Sequence, residues 1–333
     1  MKNKNISRFV EKYSIFIVLA FMVVLCSLMS ENFLSVNNFK NVARQLSVSI
    51  IIAYGEMLLV IAGLIDLSVG SVLALSGILS IAAYQHTGSL VIGFIVAIVV
   101  GVLCNLVNAV LVTNFKMPPF IATLAVQMSA RGAALYYTHG QNLLQLKKYT
   151  VFGQGSLGPI PNPIIFMLII TAITWYIVNH TRYGRSLYAI GGNEGAAIAS
   201  GINVNRSKYL TYIINGVFAG IAGVLFMSRV NAGLPNGAVG YEMEGLTATI
   251  VGGTSFSGGV GTTMGTLVGA FIIGFLNNIM NLTGVDSYVQ QMVKGGIIAF
   301  AVAYDILSKN KKTRKVIVVE DDGEKKSKQQ TGN

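Results

Sequence analysis

Residues 90–113 read LVIGFIVAIVVGVLCNLVNAVLVT, an apolar run that contains no charged residue. About 20 residues of α-helix are enough to cross the hydrocarbon core of a bilayer, which is about 30 Å thick. The run is therefore long enough to span a membrane, and comparable runs recur along most of the chain. This repetition predicts a membrane protein with many helical spans.

Composition supports the same class. Of 333 residues, 53% are hydrophobic and only 11% are charged, and the mean hydropathy is +0.63. Soluble domains carry about 25% charged residues. A chain of this length has too few charges to cover a water-soluble surface, so a lipid bilayer is predicted to solvate much of its exterior.

The predicted fold is an all-α, polytopic transmembrane helical bundle of about ten spans with broken or half helices. The apolar segments are Tyr13–Ser30, Leu46–Leu64, Leu67–Tyr84, Leu90–Thr113, Pro118–Tyr137, Pro163–His180, Tyr209–Ser228, Gly245–Ser255, Thr262–Leu282 and Tyr288–Leu307. The eighth is too short to cross alone, so it is a half-helix or borrows residues from its neighbours. The first resembles a signal peptide, but no cleavage motif follows it, which favours a transmembrane helix.

The basic residues predict the orientation. The formal net charge is +11, and Lys and Arg concentrate in alternate loops, as the positive-inside rule expects of cytoplasmic segments. With the N-terminus inside, the basic residues that fall outside are Lys40, Arg44, Lys147, Lys148 and Arg229. Both termini are therefore predicted to be cytoplasmic. Because basic residues are not interleaved with aromatic ones in a stripe, no nucleic-acid partner is predicted.

The first interruption is Gly63–Ser71, GLIDLSVGS, which places Asp66 between two apolar runs with Ser68 and Ser71 close by. Glycine and short polar residues here indicate a broken helix, whose freed backbone groups need partners. A charge at membrane depth costs about 2.5–3.5 kcal/mol on insertion scales, so it is usually functional or paired. Asp66 is expected to line a substrate path, to cap the third helix, or to do both.

The second interruption is Gly252–Thr263, GGTSFSGGVGTT. Paired glycine-broken segments in the two halves of a transporter indicate a central substrate site, so Ser255 and Ser257 join the predicted path. Asn277 lines the same path or bonds across helices. Gly261, Gly265 and Gly269 fall on one helical face, which favours close helix packing.

The longest inside segment is Thr181–Lys208. Gly191–Gly192 interrupt it, and Asn193 is placed to cap a short helix around Glu194–Ser200. Such a helix docks in a groove of a soluble partner, or the segment is an ordinary basic loop anchored at the headgroups. The chain lacks a P-loop, and its three histidines are isolated, so neither ATP binding nor a metal site is predicted here.

Six motifs of the sequence together resemble those of a known family. GLIDLSVGS, PPFIATLA, YGRSLYAIGGNEGAAIASGINV, GGTSFSGGVGT, GFLNN and GVDSYVQQMVKG resemble the permeases of bacterial ABC importers for ribose, galactose and related sugars. The resemblance covers about Asn32–Ser308. It is closest to the ribose type, and SFSGGVGT is also similar to the galactose type.

The resemblance implies a permease domain over residues 1–308 in the cytoplasmic (inner) membrane, followed by a polar, disordered cytoplasmic tail over 309–333. The cargo is then a simple sugar, most nearly ribose, with galactose, a furanosyl signal or a nucleoside as alternatives. The implied partners are a cytoplasmic ABC ATPase that carries ATP and magnesium, an extracytoplasmic sugar-binding protein, and a second permease copy in a homodimer or heterodimer. No cofactor is expected in this chain.

The resemblance also implies that Gly184–Gly201 is the loop that couples to the ATPase. Its predicted residues are Gly184, Arg185, Gly191, Gly192, Asn193, Glu194, Ala197 and Gly201. Two other functions remain open. An ion-coupled secondary transporter would use Glu56 and Asp66 as deep acids, whereas a membrane enzyme would need clustered catalytic groups that the sequence does not offer.

Overall fold

The computed structural model describes residues 2–307 of the chain, with side chains from Ser14 onward. Its α-helices are α1 (Lys2–Met29), α2 (Val36–Ile61), α3 (Val69–Thr87), α4 (Leu90–Thr113), α5 (Pro119–Thr138), α6 (Asn162–His180), α7 (Arg182–Gly192), α8 (Glu194–Ala199), α9 (Val204–Val230), α10 (Tyr241–Val251), α11 (Thr263–Leu282) and α12 (residues 287–307). The predicted helical class is confirmed. The tail predicted over 309–333 lies outside the described residues.

Six helices within residues 2–307 are long and apolar enough to cross a bilayer, namely α2, α3, α4, α6, α9 and α11. The apolar part of α1, Ser14–Met29, is shorter. The predicted count of about ten spans is therefore not confirmed. Helix α10 takes the place of the eighth segment and has 11 residues, a rise of about 16 Å, so it is a half-helix in length.

Helix α2 begins ten residues before the predicted Leu46, at Val36. Ser35 caps it, because its hydroxyl accepts a hydrogen bond from the Asn38 N–H at 3.3 Å. The first turns, VNNFKNVARQ, are too polar for a hydropathy window to detect. The N-cap residue, Ser35, was the sequence signal that marks the beginning of this helix.

Helix α2 is also the centre of the bundle. Every residue from Leu46 to Ile61 is buried, and α6, α9, α10 and α11 pack around the helix. In its most apolar window 89% of the residues are buried, against 22% for α4. Polar groups on α2 must therefore find partners in protein rather than in water or headgroups.

Helix α4, in contrast, has two faces. Large apolar side chains four residues apart are exposed on one face: Val91, Ile95, Val99, Leu103 and Val107. Small or amide side chains are buried on the other: Gly93, Ala97, Gly101, Asn105 and Asn108. An apolar stripe along the whole length of a helix suits lipid, and the small residues let a neighbouring helix approach.

That neighbour is α9. A Cβ atom added at Gly216 would lie 2.5 Å from the carbonyl oxygen of Gly101, and one added at Gly220 would lie 2.5 Å from that of Ala97. The two backbones therefore touch, which only glycine permits at these positions.

Helices α10 and α11 pack in the same way. A Cβ at Gly265 or Gly269 would overlap the backbone of α10 or of Gly252, directly after it, so the predicted packing role of these two residues is confirmed. Gly261 lies before α11 begins, and it packs against the side chain of Ile61 instead.

Residues 139–161 connect α5 to α6 and are called the outside loop here, because the sequence prediction places Lys147 and Lys148 outside. Strand β1 (Leu143–Leu144) pairs with β4 (Ala232–Gly233), and β2 (Ser156–Leu157) forms a hairpin with β3 (Ile160–Pro161). The Arg44 guanidinium donates to the Gln154 carbonyl at 3.3 Å, and the Gln154 side chain donates to the Arg229 carbonyl at 3.0 Å. The loop is thus tied to the ends of α2 and α9.

Candidate functional site

The first break separates α2 from α3 at residues 62–68. The Leu64 N–H donates to the Leu59 carbonyl at 2.8 Å, and Gly63 has a φ of +75°. This left-handed conformation favours glycine and ends α2 directly after Ile61. The broken helix predicted from GLIDLSVGS is confirmed.

The Asp66 carboxylate organises this break and is fully buried. One oxygen accepts hydrogen bonds from the Ser68 N–H at 2.7 Å, from the Ser68 hydroxyl, and from the Asn108 amide at 3.4 Å. The other oxygen accepts from the Asn215 amide at 2.7 Å. One carboxylate therefore ties the start of α3 to α4 and α9. Asp66 therefore bonds to Ser68, the residue before α3, while its roles as a helix cap and as a substrate contact stay predictions.

Three asparagines, Asn105, Asn108 and Asn215, complete the cluster around Asp66. The sequence analysis did not predict any of them. Asn215 also donates to the Asn105 side-chain oxygen at 3.3 Å, and Asn108 donates to the Ser68 hydroxyl at 2.9 Å. Asn105 and Asn108 are three residues apart in an otherwise apolar run, so they share one face of α4. That spacing was the available signal for a buried polar partner.

Glu56 lies next to this cluster on α2. Its Oε2 atom accepts from the Asp66 N–H at 3.4 Å, and its Oε1 atom is buried without a hydrogen-bond partner among the described atoms. Neither carboxyl group has a salt-bridge partner in the part of the chain that the structure describes. The region is therefore a polar interior that amides and hydroxyls hold together.

The second break, residues 252–262, separates α10 from α11. The buried Ser255 donates its hydroxyl hydrogen to the Asp305 carboxylate on α12 at 3.1 Å, and the Phe256 N–H donates to the same carboxylate at 3.0 Å. Ser257 is exposed, and Ser71 is buried in α3. A shared path that all these serines line stays a prediction.

The two breaks touch each other. The Gly259 N–H donates to the carbonyl of Ile61, the last residue of α2, at 2.9 Å. Gly259 has a φ of +75°, which turns its N–H toward that carbonyl. The sequence suggested that the breaks form a pair, and this hydrogen bond is their direct connection.

Asn277 belongs to a separate polar cluster. Its amide donates to Glu244 at 3.4 Å, and the Ser49 hydroxyl donates to the same carboxylate oxygen at 3.1 Å. The side-chain oxygen of Asn277 is buried and lacks a partner among the described atoms. Glu244 and Lys294 both line a cavity of ≈ 40 Å³ between α10, α11 and α12, which is room for about three water molecules.

The predicted coupling loop folds as two short helices, α7 and α8. The Thr181 hydroxyl caps α7 by accepting from the Gly184 N–H at 2.9 Å, and the Asn193 side chain caps α8 by accepting from the Ala196 N–H at 2.9 Å. The cap predicted at Asn193 is confirmed. Gly201 ends the segment after α8 with a φ of +79°.

A small apolar core of Ile190, Ala197 and Val204 holds α7, α8 and the start of α9 together. The Lys208 ammonium forms an ion pair with Glu194 at 2.9 Å, which fixes α8 to α9. Arg185 and Gly192 are exposed.

Two tyrosines join α7 to the rest of the protein. The Tyr183 hydroxyl shares a hydrogen bond with Thr211 of α9 at 2.7 Å, and the Tyr188 hydroxyl donates to the Gly261 carbonyl at 2.7 Å. Burial raises the pKa of both phenols above their ordinary value of 10.0, so both keep their proton at neutral pH. The sequence prediction did not single out either residue.

Within the described residues, no group of three or more His, Cys, Asp or Glu side chains is placed to hold a metal ion. The clusters consist of amides, hydroxyls and unpaired carboxyl groups. Their arrangement is that of a polar interior in a helical bundle, with one surface segment, α7–α8, connected to two helix breaks.

A sequence profile described as branched-chain amino acid transport system / permease component matches residues 38–302. The chain belongs to this permease family. The prediction that it is a transport component rather than an enzyme is therefore confirmed, and so is its multi-pass membrane class. The extent of a single domain over residues 1–308 stays a prediction.

Curated relatives match nearly the whole permease. The ribose import permease protein RbsC of Haemophilus influenzae is 40% identical over 310 residues, 91% of this chain and 95% of the relative. RbsC of Bacillus subtilis is 39% identical over 298 residues, 89% and 92% of the two chains. The D-allose transport system permease protein AlsC of Escherichia coli is 38% identical over 309 residues, 91% and 94% of the two chains. The resemblance to ribose-type permeases is thus confirmed. A search of the solved structures found no match.

The Asp66 cluster generates a stability prediction. Asn215→Ala removes the donor of the 2.7 Å hydrogen bond and leaves a buried carboxylate oxygen unpaired, which costs about 1–3 kcal/mol. The thermal midpoint of the purified permease in detergent is expected to fall by about 1–4 °C. Asn179→Ala is the control, because Asn179 is exposed and donates only to the Trp175 carbonyl of its own helix. Equal midpoints for the two variants would contradict the assigned role.

Proposed function

We propose that this permease is the membrane subunit of an ATP-binding-cassette importer that carries ribose or a closely related simple sugar across the cytoplasmic membrane. The observation that carries this proposal is the identity of 40% to a ribose import permease over 91% of the chain. The D-allose relative supports a second sugar, a hexose, as an alternative cargo.

The energy source lies in a partner chain. The sequence has no P-loop, so ATP and magnesium bind to a cytoplasmic ATPase. Helices α7 and α8 are the proposed docking segment, because they form a small folded unit that exposes an apolar side chain, Ile198, at 59%. An exposed apolar residue on an ordered surface segment is typical of an interface.

The proposed orientation places both termini in the cytoplasm. Helix α9 has 27 residues and is about 40 Å long, so its two ends lie on opposite sides of a bilayer. Arg206 and Lys208 lie at its first end with the docking segment, and Arg229 lies at its last end beside the outside loop. Ten crossings fit this orientation if residues 231–240 and α10 together form the eighth crossing.

The outside face is the proposed docking surface for a sugar-binding protein. Lys147 and Lys148 are exposed on the ordered loop, and Arg44 and Arg229 lie close to it, joined through Gln154. A partner with acidic side chains at matching positions would be attracted to this basic end. A second permease copy completes the importer.

The proposed sugar path includes the Glu244 cluster in addition to the predicted Asp66, Ser68, Ser71, Ser255, Ser257 and Asn277. A carboxylate and an ammonium group at membrane depth are costly unless they serve a function. The hydrogen-bonding groups that a polyol needs are offered here by Glu244, Asn277 and Lys294. The cavity that Glu244 and Lys294 line is too small for a sugar in this conformation. Passage therefore requires α10, α11 and α12 to separate.

The docking prediction is tested by purification from native membranes. The wild-type chain is expected to recover a P-loop ATPase, and Ile198→Asp is expected to recover at least about tenfold less, because a charge placed in an apolar contact costs more than about 1.4 kcal/mol. Leu157→Asp, an equally apolar exposed position on the β2–β3 hairpin, should recover the wild-type amount. A chain that is recovered alone and still transports would contradict the proposal.

The path prediction uses a neutral isostere. Glu244→Gln should leave membrane level and ATPase recovery unchanged but lower ribose uptake about tenfold or more, since a lost charged hydrogen bond is worth about 1.5–3 kcal/mol. Glu31→Gln, on an exposed residue, is the control and should keep uptake within about twofold. Unchanged uptake in Glu244→Gln would remove this cluster from the path.

A further inference from the structure

Three backbone segments meet at one point, here called the glycine junction: the end of α7 at Gly191, the end of α2 at Ile61, and Gly258–Gly259 in the second break. The Gly259 N–H bonds to the Ile61 carbonyl at 2.9 Å. A Cβ atom added at Gly191 would overlap the Ile61 carbonyl oxygen and lie 2.5 Å from the Gly259 nitrogen. The three backbones are therefore in van der Waals contact without side chains between them.

The contact continues on the side of the second break. A Cβ at Gly258 would lie 2.8 Å from the Gly191 carbonyl oxygen, and one at Gly259 would lie 3.0 Å from Gly192. Gly261 packs on the Ile61 side chain, and its carbonyl accepts the Tyr188 hydroxyl at 2.7 Å. Helix α7 is thus attached to the second break by packing and by one side-chain hydrogen bond.

The other side of the α7–α8 unit faces away from this junction. Glu194 and Ile198 on α8 are exposed, and the Glu194–Lys208 ion pair and the apolar core around Ala197 hold α8 to α7 and α9. A push on α8 therefore moves α7 with it. Because packed interfaces shift between discrete arrangements rather than deform gradually, a displacement of α7 must reach Ile61 and Gly259.

We propose that Gly191 and Tyr188 are positioning residues that transmit movement of the α7–α8 unit to both helix breaks at once. Ile61 is directly followed by the turn that holds Asp66, and Gly259 lies in the loop that connects α10 to α11. The junction thus links the ATPase-docking segment to the first break and to α10, the helix that carries Glu244. This inference rests on the proposed function, since it assigns the part of the chain through which ATP hydrolysis drives passage.

The chain offers a matched pair of variants. Gly191→Ala adds a methyl group that overlaps the Ile61 carbonyl, whereas Gly132→Ala adds the same group on α5, outside the docking segment, where nothing lies within 4 Å. Both residues are helical, and neither has a positive φ, so the backbone accepts alanine at both. The difference between the two variants therefore reports the junction contact alone.

The experiment measures sugar imported per ATP hydrolysed, with the complete importer reconstituted in liposomes. Gly191→Ala is expected to recover its ATPase within twofold of wild type but to lower this ratio at least tenfold, while Gly132→Ala keeps both within twofold. Equal ratios in the two variants would overturn the proposal. Loss of the ATPase from Gly191→Ala alone would also overturn it, because Gly191 would then be a docking residue.

Tyr188→Phe keeps the proposal testable if Gly191→Ala does not fold. It removes only the hydroxyl that bonds to Gly261, and the ratio of sugar to ATP is expected to fall at least threefold with normal ATPase recovery. An unchanged ratio in a folded Tyr188→Phe permease would count against the junction. If the wild-type permease recovers no ATPase, the proposed function itself is wrong. If it recovers its ATPase and the variants keep the wild-type ratio of sugar to ATP, only the junction proposal is wrong.

Discussion

A helix that breaks inside a bilayer must find partners for its freed backbone groups within the protein, because lipid offers none. In this permease the buried Asp66 carboxylate accepts the Ser68 N–H at the first break, directly before α3, and it also accepts hydrogen bonds from Asn108 of α4 and Asn215 of α9. The close glycine contacts between α4 and α9 bring these amides within reach. The position of α2 at the centre of the bundle, with its end at Ile61, depends on this arrangement.

The end of α2 also connects the proposed docking segment to the interior of the bundle. Ile61 contacts Gly259 of the second break and Gly191 of α7, so the docking segment reaches the end of the central helix through bare backbone. Asp66 lies in the first break, and Glu244 lies on α10, which ends at the second. A permease whose sequence contains no P-loop thereby has a short physical connection between its proposed docking segment and its interior.

Sequence alone predicted the helical membrane class, both breaks, the short eighth segment and the cap at Asn193. Hydropathy and glycine content carry those features locally. It did not predict the beginning of α2, whose first turns are polar, nor the amide partners of Asp66, Asn108 and Asn215, which lie 42 and 149 residues away and are joined to it only by tertiary packing. The junction at Gly191 was also out of reach, because a glycine looks the same in sequence whether its Cα faces open space, as at Gly192, or another backbone.

The most direct test of the account asks whether the energy for uptake comes from a partner ATPase. The permease is reconstituted with its ATPase and sugar-binding protein, ATP is held constant on the ATPase side, and ribose uptake is measured with and without an uncoupler that collapses ion gradients. The account predicts uptake that is unchanged by the uncoupler and absent when the ATPase is omitted. Uptake by the permease alone that the uncoupler abolishes would contradict it, and would make Glu56 and Asp66 the groups that bind the coupling ion.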